Sequence, residues 1–429
     1  MQTENNMEDP PGGWAASLFS QFRFFGWIVI LATGYCLMVG SGLFFYAMSV
    51  LLELIVVNTG YSVAQISLAN TIFLAMSGFA GVIVGELITR YDLRFSVSAG
   101  SLVLLLSYYL LAEADSLTAI YVIYGMIGIG YAMTALVPAT TLVARWFIRR
   151  RALALAVAHS GLSLGGVLLT PILANLVAKS GMDALTHPVI VFLILLMVPV
   201  SALAMRPNPA QMGLHPDGDD VDPEAPPAHE KGWRAQEAVR TRFFGFLVLA
   251  AMFVMMAQVG TIAHIYNWGL ARADTQTAAL TIAVMAFFSF SGRLITGSFL
   301  DHIDIYPFVI ILFLAQAMTL FGIAFAEGVW PVLVMSGLFG LTVGNVLMSQ
   351  PLLIGAAFGV RDFPRILSYN QLMMNVGVAA GPLIVGLIYD FGGGYRNAFV
   401  IVGMASLLAC TCLILAGSPA RLAENAKSH

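Results

Sequence analysis

The chain consists mainly of long apolar runs separated by short segments that are polar or contain proline and glycine. The runs exceed the ~18 to 20 residues that a helix needs to span a bilayer core, and they lack the alternation of barrel strands. The pattern therefore predicts twelve membrane-spanning helices. They lie near residues 25–56, 64–88, 95–113, 117–143, 152–178, 187–205, 243–268, 275–300, 307–326, 330–358, 364–389 and 397–417.

Composition agrees with an all-α membrane protein. Hydrophobic residues make up 59% of the 429 residues and charged residues 10%, against roughly 45–50% and about 25% in soluble domains. The net charge is −3 and no basic domain is present, so no nucleic-acid partner is expected. Cys36, Cys410 and Cys412 fall in apolar runs without metal-ligand spacing, so we expect them to pack and predict no metal or cofactor.

Lys and Arg residues are distributed unequally between the two sides of the predicted bundle. Sixteen of the twenty fall on the side that holds both termini, whereas Lys179, Arg272 and Arg396 fall on the other side. Because cytoplasmic segments carry the excess of positive charge, both termini are predicted to be cytoplasmic. The expected location is a cell membrane, such as a bacterial inner membrane, which the chain crosses many times.

One long polar segment, between the sixth and seventh spans, is acidic and rich in proline, which is typical of a flexible linker. A short amphipathic surface helix is expected at its end, over residues 233–241. The predicted organisation is a cytoplasmic tail (1–24), a six-helix bundle (25–206), a cytoplasmic linker (207–242), a second six-helix bundle (243–418) and a cytoplasmic tail (419–429).

The two halves share short motifs. Gly-Glu-Leu-Ile-Thr at residues 85–89 is echoed by Gly-Arg-Leu-Ile-Thr at residues 292–296, which is 207 residues later. Pro171 in the fifth span is echoed by Pro382 in the eleventh, 211 residues later. Two matches on corresponding helices favour a duplicated six-helix unit, and they place Glu86 opposite Arg293.

Arg293 places a guanidinium deep within an apolar run. A charge in hydrocarbon costs a few kcal/mol, so it must face protein or water, and it is a candidate functional group. Counting back from Asp301 puts Arg293 roughly 4–5 Å from the midplane, the depth at which transporters hold their substrates. No acidic residue lies near that depth, so we predict that Arg293 binds an anion. A structural arginine bonded to helix carbonyls is the alternative.

Several motifs resemble those of a transporter family. Residues 146–161 pass from aromatic-Phe-x-basic-basic into a small-residue helix that ends at Gly, which resembles the second signature of the monocarboxylate transporters. Residues 25–27 resemble the end of the first signature, and residues 206–218 resemble a segment that bacterial members carry after helix 6. The whole chain is thus similar to the major facilitator superfamily, in its monocarboxylate transporter and oxalate:formate antiporter-like branch. The resemblance implies two pseudo-symmetric bundles of six helices.

The chain departs from this family pattern at three places, of which the first is the loop after helix 2, where Thr89 stands four residues after Gly85 in place of the usual Asp. Mammalian-type relatives carry an Asp one turn before the arginine of helix 8, where this chain has Ser289. Oxalate exchangers carry a Lys in helix 11, where residues 366–389 hold no charge. The last two departures argue against an Asp in helix 8 as the proton carrier and against a dianion as the substrate.

Polar residues within the spans complete the predicted site. Tyr131, Ser289, Asn345 and Asn375 are predicted to line the substrate cavity with Arg293, although each would also suit an interhelical hydrogen bond. Tyr46 could line the same cavity, and packing is the simpler interpretation for His159.

Two groups near the outer helix ends are candidates for carrying a proton. They are His264 and Glu53, for which a packing histidine and a wetted helix-end carboxylate are the alternatives. Glu86, Arg90, Arg94 and Arg145, at cytoplasmic helix ends, are predicted to form an inner gate, and topological anchoring explains the arginines equally well.

The sequence therefore predicts a secondary active transporter that moves a small monocarboxylate or related organic anion by alternating access, with a proton as co-substrate. The alternatives are a proton-driven exporter of amphipathic compounds, an organic-anion exchanger and a non-transporting sensor. The chain has no nucleophile with a base and no phosphate loop, so an enzyme is not expected. The expected partners are the anion, the proton and the lipid bilayer, and the protein is predicted to be a monomer or a weak dimer.

Overall fold

The computed structural model describes residues 25–147, 151–214, 216–218, 233–299, 303–359 and 362–419. The predicted N-terminal tail, residues 1–24, and much of the predicted linker lie outside them. Within these residues, twelve helical segments, named α1–α12, correspond to the twelve predicted spans. The N-terminal half contains α1 (Gly26–Thr59), α2 (Val63–Arg90), α3 (Leu93–Ala112), α4 (Leu117–Thr134 and Leu136–Trp146), α5 (Arg151–Leu164, Gly165–Leu169 and Thr170–Ser180) and α6 (Pro188–Ala204). The C-terminal half contains α7 (Arg242–Leu270), α8 (Thr275–Phe299), α9 (Ile305–Phe325), α10 (Val329–Phe358), α11 (Phe363–Phe391) and α12 (Tyr395–Ala416).

The prediction of an all-α membrane protein is confirmed. Eleven of the described helical segments are long and apolar enough to cross a membrane, and α6 is shorter. Their bounds differ from the predicted spans by three residues or fewer. Long apolar runs define spans well because a helix is the simplest way to satisfy the backbone in hydrocarbon.

Prolines explain two interruptions that the hydrophobic pattern does not show. The helix of α4 breaks at Ala135, three residues before Pro138, and that of α6 breaks at Leu196, three residues before Pro199. Proline lacks an N–H donor and its ring clashes with the carbonyl four residues earlier, so the regular helical hydrogen-bond pattern is interrupted just before it.

Two helices contain a wider, π-type turn, and these turns meet. They are Ser41–Phe45 in α1 and Gly165–Leu169 in α5. A Cβ on Gly42 would lie 2.5 Å from the carbonyl oxygen of Gly165, so only glycine allows this approach. The Thr170 hydroxyl donates to the Gly42 carbonyl at 2.7 Å, which satisfies a carbonyl within the wider turn.

Glycines also set the closest helix pair in each half. A Cβ on Gly161 of α5 would lie 2.1 Å from the carbonyl oxygen of Gly34 in α1. In the other half, a Cβ on Gly377 of α11 would lie 2.1 Å from the carbonyl oxygen of Met252 in α7. The backbones of α1 and α5, and of α7 and α11, therefore touch without intervening side chains.

The structure gives one register between the two halves. Helices α2–α5 begin at residues 63, 93, 117 and 151, and α8–α11 begin at residues 275, 305, 329 and 363, which is 212 residues later in each case. Asp92 and Asp304, also 212 residues apart, both accept a backbone N–H at the start of α3 and α9.

Glycine contacts follow the same register and correct the sequence alignment. Gly128 of α4 approaches the carbonyl of Phe73, and Gly340 of α10 approaches the carbonyl of Met285. The two glycines are 212 residues apart, and so are the two residues that they approach. Arg293 therefore pairs with Gly81, so the prediction that it lies opposite Glu86 is wrong by five residues. The five-residue motif misled the alignment because it reflects local composition, whereas helix starts and glycine contacts are fixed by packing.

The segment before α7 forms a shorter helix than predicted. It covers only Ala235–Ala238, because the chain turns to begin α7, where the Thr241 hydroxyl accepts the Phe244 N–H at 3.1 Å. The Trp233 N–H donates to the carbonyl of Phe358 at 2.9 Å. This segment is thus docked on the end of α10.

The halves meet along three helix pairs, α1 with α7, α2 with α11 and α5 with α8. We name the end of the bundle that holds the linker, residues 207–242, the linker end, and the opposite end the far end. The linker end is the side predicted to be cytoplasmic.

Among the described residues, three hydrogen bonds join the halves, and all three lie near the far end. They are Asn267 to Glu53 at 3.0 Å, Ser67 with His264 at 3.1 Å and the backbone N–H of Ala64 to Asp390 at 2.7 Å. The structure thus holds the halves together at the far end.

Candidate functional site

Arg293 lies in α8 and its side chain is partly buried. The following residues, Leu294 and Ile295, are 55% and 61% exposed on a different face of the helix. Arg293 is six residues beyond Phe287, the midpoint of the described helix, which is about 9 Å at 1.5 Å per residue. Arg293 therefore lies on the linker-end side of the middle of α8, which is the side on which the predicted 4–5 Å from the midplane placed it. That estimate counted from Asp301, which is outside the described residues.

Helix α10 contacts α8 directly beside the guanidinium. A Cβ on Gly344 would lie 2.4 Å from the carbonyl oxygen of Ser289 and 3.2 Å from Nε of Arg293. Glycine at this position therefore leaves space for the arginine side chain. Ser289 takes part in this contact with Arg293, and Asn345 follows Gly344 directly in α10.

Several polar atoms at this contact are buried and unpaired. Within the described part of the chain, Nε of Arg293, Oγ of Ser289 and Oδ1 of Asn345 have no hydrogen-bond partner. The amide nitrogen of Asn345 donates instead to the carbonyl of Leu341 in its own helix, at 2.9 Å. Because buried polar groups are usually hydrogen-bonded, unpaired ones that converge with a charge indicate a place for a polar ligand.

The N-terminal half contributes two groups to the surroundings of Arg293. Tyr46 of α1 and His159 of α5 both lie within electrostatic range of the guanidinium. Nε2 of His159 is also buried and has no partner among the described residues. Tyr46 is a possible cavity residue from the sequence, whereas packing is the simpler interpretation for His159; the structure brings both near Arg293.

Gly166 explains how these helices come together. A Cβ at this position would lie 2.7 Å from Cβ of Ala286 in α8 and 2.9 Å from the ring of Tyr46 in α1. Gly166 lies within the wider turn of α5, and Tyr46 follows directly after the wider turn of α1. The two π-type turns thus border the site, which is where such turns are frequently found.

Tyr131 joins the site through α1. Its ring centroid lies 6.5 Å from that of Phe45 and 5.5 Å from that of Phe73, and its hydroxyl is within electrostatic range of Tyr46. Asn375 lies elsewhere: its amide nitrogen is 3.4 Å from the Cβ position of Gly78, between α11 and α2. The structure therefore brings Tyr131 near the site and places Asn375 at a different helix contact.

His264 is fully buried at the far end, where it contacts both halves. Its Nε2 lies 3.1 Å from the Ser67 hydroxyl and 3.1 Å from the Pro382 carbonyl, and its Nδ1 lies 3.3 Å from the Tyr395 hydroxyl. Both ring nitrogens therefore have neighbours to bond. Glu53 also lies at the far end, where it accepts a hydrogen bond from Asn267. The two candidate proton carriers thus belong to the contact between the halves, away from Arg293.

The described members of the predicted inner gate bond within the N-terminal half. Arg94 forms an ion pair with Asp92 at 2.5 Å, and Arg145 donates to the Ile88 carbonyl at 3.2 Å. The Arg94 guanidinium holds the pKa of the Asp92 carboxyl below its usual range. The side chains of Glu86 and Arg90 are outside the described residues.

The family of the chain follows from its sequence together with this fold. The chain belongs to the Major Facilitator Superfamily, whose sequence profile matches residues 34–349 and 273–429. Its curated relatives place it in the monocarboxylate transporter-like branch. It is therefore a multi-pass membrane transporter of a small molecule.

Three individual comparisons are informative. The chain is 26% identical to human monocarboxylate transporter 11 over 374 residues, which is 82% of this chain and 74% of that protein. It is 23% identical to the aspyridones efflux protein apdF of Emericella nidulans, over 78% of this chain and 64% of that protein. The structure resembles a bacterial homologue of the human lysosomal transporter Spinster, solved inward-facing and occupied, with a TM-score of 0.66 and 16% identity over 91% and 96% of the two chains. That likeness concerns the fold.

Proposed function

We propose that the protein transports a small monocarboxylate or related organic anion by alternating access, coupled to a proton. The substrate carboxylate would bind the guanidinium of Arg293, with Ser289, Asn345, His159 and Tyr46 around it. The two halves would rock about this site and expose it first at one end of the bundle and then at the other.

The observation that carries the proposal is the unpaired, buried Nε of Arg293. A guanidinium matches a carboxylate with two parallel hydrogen bonds and stays charged at any physiological pH. Within the described residues, no carboxylate forms an ion pair with it. An exchangeable anion would supply the missing charge and the missing hydrogen bonds together.

The polarity of the site also supports a substrate of this kind. Ser289 and His159 are polar groups near Arg293, whereas the rings of Phe45, Phe73 and Tyr131 form an aromatic cluster beside Tyr46. One charged group with apolar walls suits an anion that has a single carboxylate and a short organic body.

Uptake of radiolabelled lactate into proteoliposomes under an inward proton gradient tests the proposal. Arg293→Ala should abolish uptake. Arg293→Lys should lower it by roughly 10- to 100-fold, because a lysine keeps the charge and loses the two-bond fork, worth about 1.5–3 kcal/mol. Arg396→Ala is the matched control, since that guanidinium stacks on Phe325 near the far end, 4.6 Å from the ring centroid. Uptake by Arg293→Ala equal to that of the wild type would remove Arg293 from the mechanism.

The likeness to an efflux protein favours one further candidate, a proton-driven exporter of amphipathic compounds. Such a transporter would confer resistance to amphipathic toxic compounds on expressing cells, and its proteoliposomes would take up no monocarboxylate. An organic-anion exchanger would instead take up label only when unlabelled anion is present inside the vesicles.

A further inference from the structure

Glu53 and Asn267 connect the two halves through a single hydrogen bond. Glu53 lies in the last two turns of α1, and Asn267 lies in the last turn of α7. The amide nitrogen of Asn267 donates to Oε2 of Glu53 at 3.0 Å. Asn267 is buried, with 5% of the residue exposed, and Glu53 is partly buried.

The amide oxygen at this contact lacks a partner. Oδ1 of Asn267 is buried and accepts no hydrogen bond from any described residue. An ionised carboxylate can only accept, so it cannot bond this oxygen. A protonated carboxyl can donate its O–H to Oδ1 while its other oxygen accepts from Nδ2.

We propose that Glu53 is a proton-binding latch of the far end: protonation of Glu53 closes the contact with Asn267, and release of the proton opens it. The protonated pair has two hydrogen bonds between the halves, and the ionised pair has one bond and an unsatisfied amide oxygen. This inference rests on the proposed proton-coupled alternating access, for which it names the group that carries the proton.

The surroundings of the pair single out Glu53. Tyr266 of α7 and Tyr395 of α12 lie within electrostatic range of its carboxyl, and Tyr395 also lies near the Asn267 amide. Two further titratable groups lie at this contact between the halves, His264 of α7 and Asp390 of α11. His264 has neighbours at both ring nitrogens, and Asp390 accepts the Ala64 N–H. At Glu53, a proton adds a hydrogen bond between the halves, to the unpaired Oδ1 of Asn267.

This latch sets the order of proton binding and closure of the far end. A proton that reaches Glu53 from the far side closes that side and leaves the substrate site open toward the linker end. If the far end faces outward, as predicted, an acidic exterior would favour the inward-open state. That order fits uptake of an anion together with a proton.

Distances between spin labels at the far end test the latch without any substrate. The labels would be attached to Val57→Cys at the end of α1 and Gln276→Cys at the start of α8, both exposed positions, with the three native cysteines replaced by serine. In lipid nanodiscs, the wild-type background should show the short distance at acid pH and a growing long-distance population as the pH rises.

Four variants distinguish a latch at Glu53 from a pH response that originates at another group. Glu53→Gln should keep the short distance at every pH, because its amide both donates and accepts. Glu53→Ala and Asn267→Ala should lose the pH response, and His264→Gln should keep it. A normal pH response in Glu53→Gln, or its loss only in His264→Gln, would overturn the proposal. Arg293→Ala should keep the response, so failure of carboxylate transport and failure of the latch give different results.

Discussion

Gly344 determines how closely α10 approaches Arg293. Its missing side chain leaves the space in which the guanidinium and the backbone of Ser289 meet. The residue that shapes the site thus carries no chemistry of its own. Hydrophobicity alone cannot reveal such a residue, because glycines within spans differ in their surroundings. A Cβ on Gly245, for example, would have no close neighbour at all.

Gly344→Ala is expected to abolish or strongly reduce transport. Its Cβ would lie 2.4 Å from the Ser289 carbonyl, so α8 and α10 must separate, at a cost of about 1–3 kcal/mol. Gly245→Ala in α7 is the control, because a Cβ there has no heavy atom within 4 Å, and we expect normal transport and unchanged or slightly higher stability. Thermal unfolding in detergent and lactate uptake measure both effects, and an active Gly344→Ala would show that the site tolerates a wider gap.

The sequence identified Arg293 because a charge in an apolar run is unusual wherever the helix packs. It offered Tyr46 only as a possible cavity residue and favoured packing for His159, because the three residues lie on different helices and far apart in the chain. Their meeting depends on the contact of Gly166 with Ala286 and Tyr46, which is a property of packed backbones.

At the scale of elements, α3 and α9 begin in the same way. Asp92 accepts the Arg94 N–H at 2.9 Å and Asp304 accepts the Tyr306 N–H at 2.9 Å, so each carboxylate caps the first turn of its helix. The two ends differ in one respect, since Asp92 also pairs with the Arg94 side chain.

Asp92→Ala should lower the free energy of unfolding by roughly 1 kcal/mol through loss of the cap. Arg94 depresses the pKa of Asp92 in the folded protein, so the stabilisation is present at neutral pH and is lost as the pH falls through that lowered value. The difference in melting temperature from the wild type should therefore shrink below about pH 4. Asp304→Ala is the matched control, because it removes a helix cap but no pair of the Asp92–Arg94 kind. If the difference in melting temperature between Asp92→Ala and the wild type grew in acid, the assignment would be contradicted.

Hydrophobic pattern was sufficient to predict all twelve helical segments, because each span must be apolar over its length. It did not reveal the π-type turns of α1 and α5 or the breaks before Pro138 and Pro199. These depend on single residues that hardly change the apolar character of a run.

At the scale of the molecule, contact between α2 and α11 is tight at one point and loose at another. A Cβ on Gly386 would lie 2.4 Å from Oγ of Ser67, whereas a Cβ on Gly78 would meet its nearest neighbour, Asn375, at 3.4 Å. The first contact lies beside the hydrogen bonds of the far end, and the second lies near the middle of α2.

Gly386→Ala should shift the protein toward the state that is open at the far end. The added methyl group forces α2 and α11 apart where the halves are joined, so the labels at positions 57 and 276 should show a larger long-distance population at acid pH. Gly78→Ala adds the same atom to the same helix pair at an ordinary contact distance, and its distances should match those of the wild type. Unchanged distances in Gly386→Ala would contradict this prediction, because they would mean that side chains at the contact move aside and the far end stays closed.

The pairing of Arg293 with Gly81 makes the two halves electrically unequal. At that position the N-terminal half has no side chain, and the C-terminal half carries a full positive charge. If the halves rock as proposed, the carrier moves this charge within the membrane potential. Moving one charge across the whole potential changes its energy by about 2.3 kcal/mol per 100 mV, and moving it across part of the potential changes it proportionally less. Uptake of one anion with one proton moves no net charge over a whole cycle, so the charge of Arg293 has to be offset in both steps. The anion offsets it in the loaded carrier, and ionised Glu53 offsets it in the empty carrier, which predicts that lactate uptake is independent of voltage in the wild type.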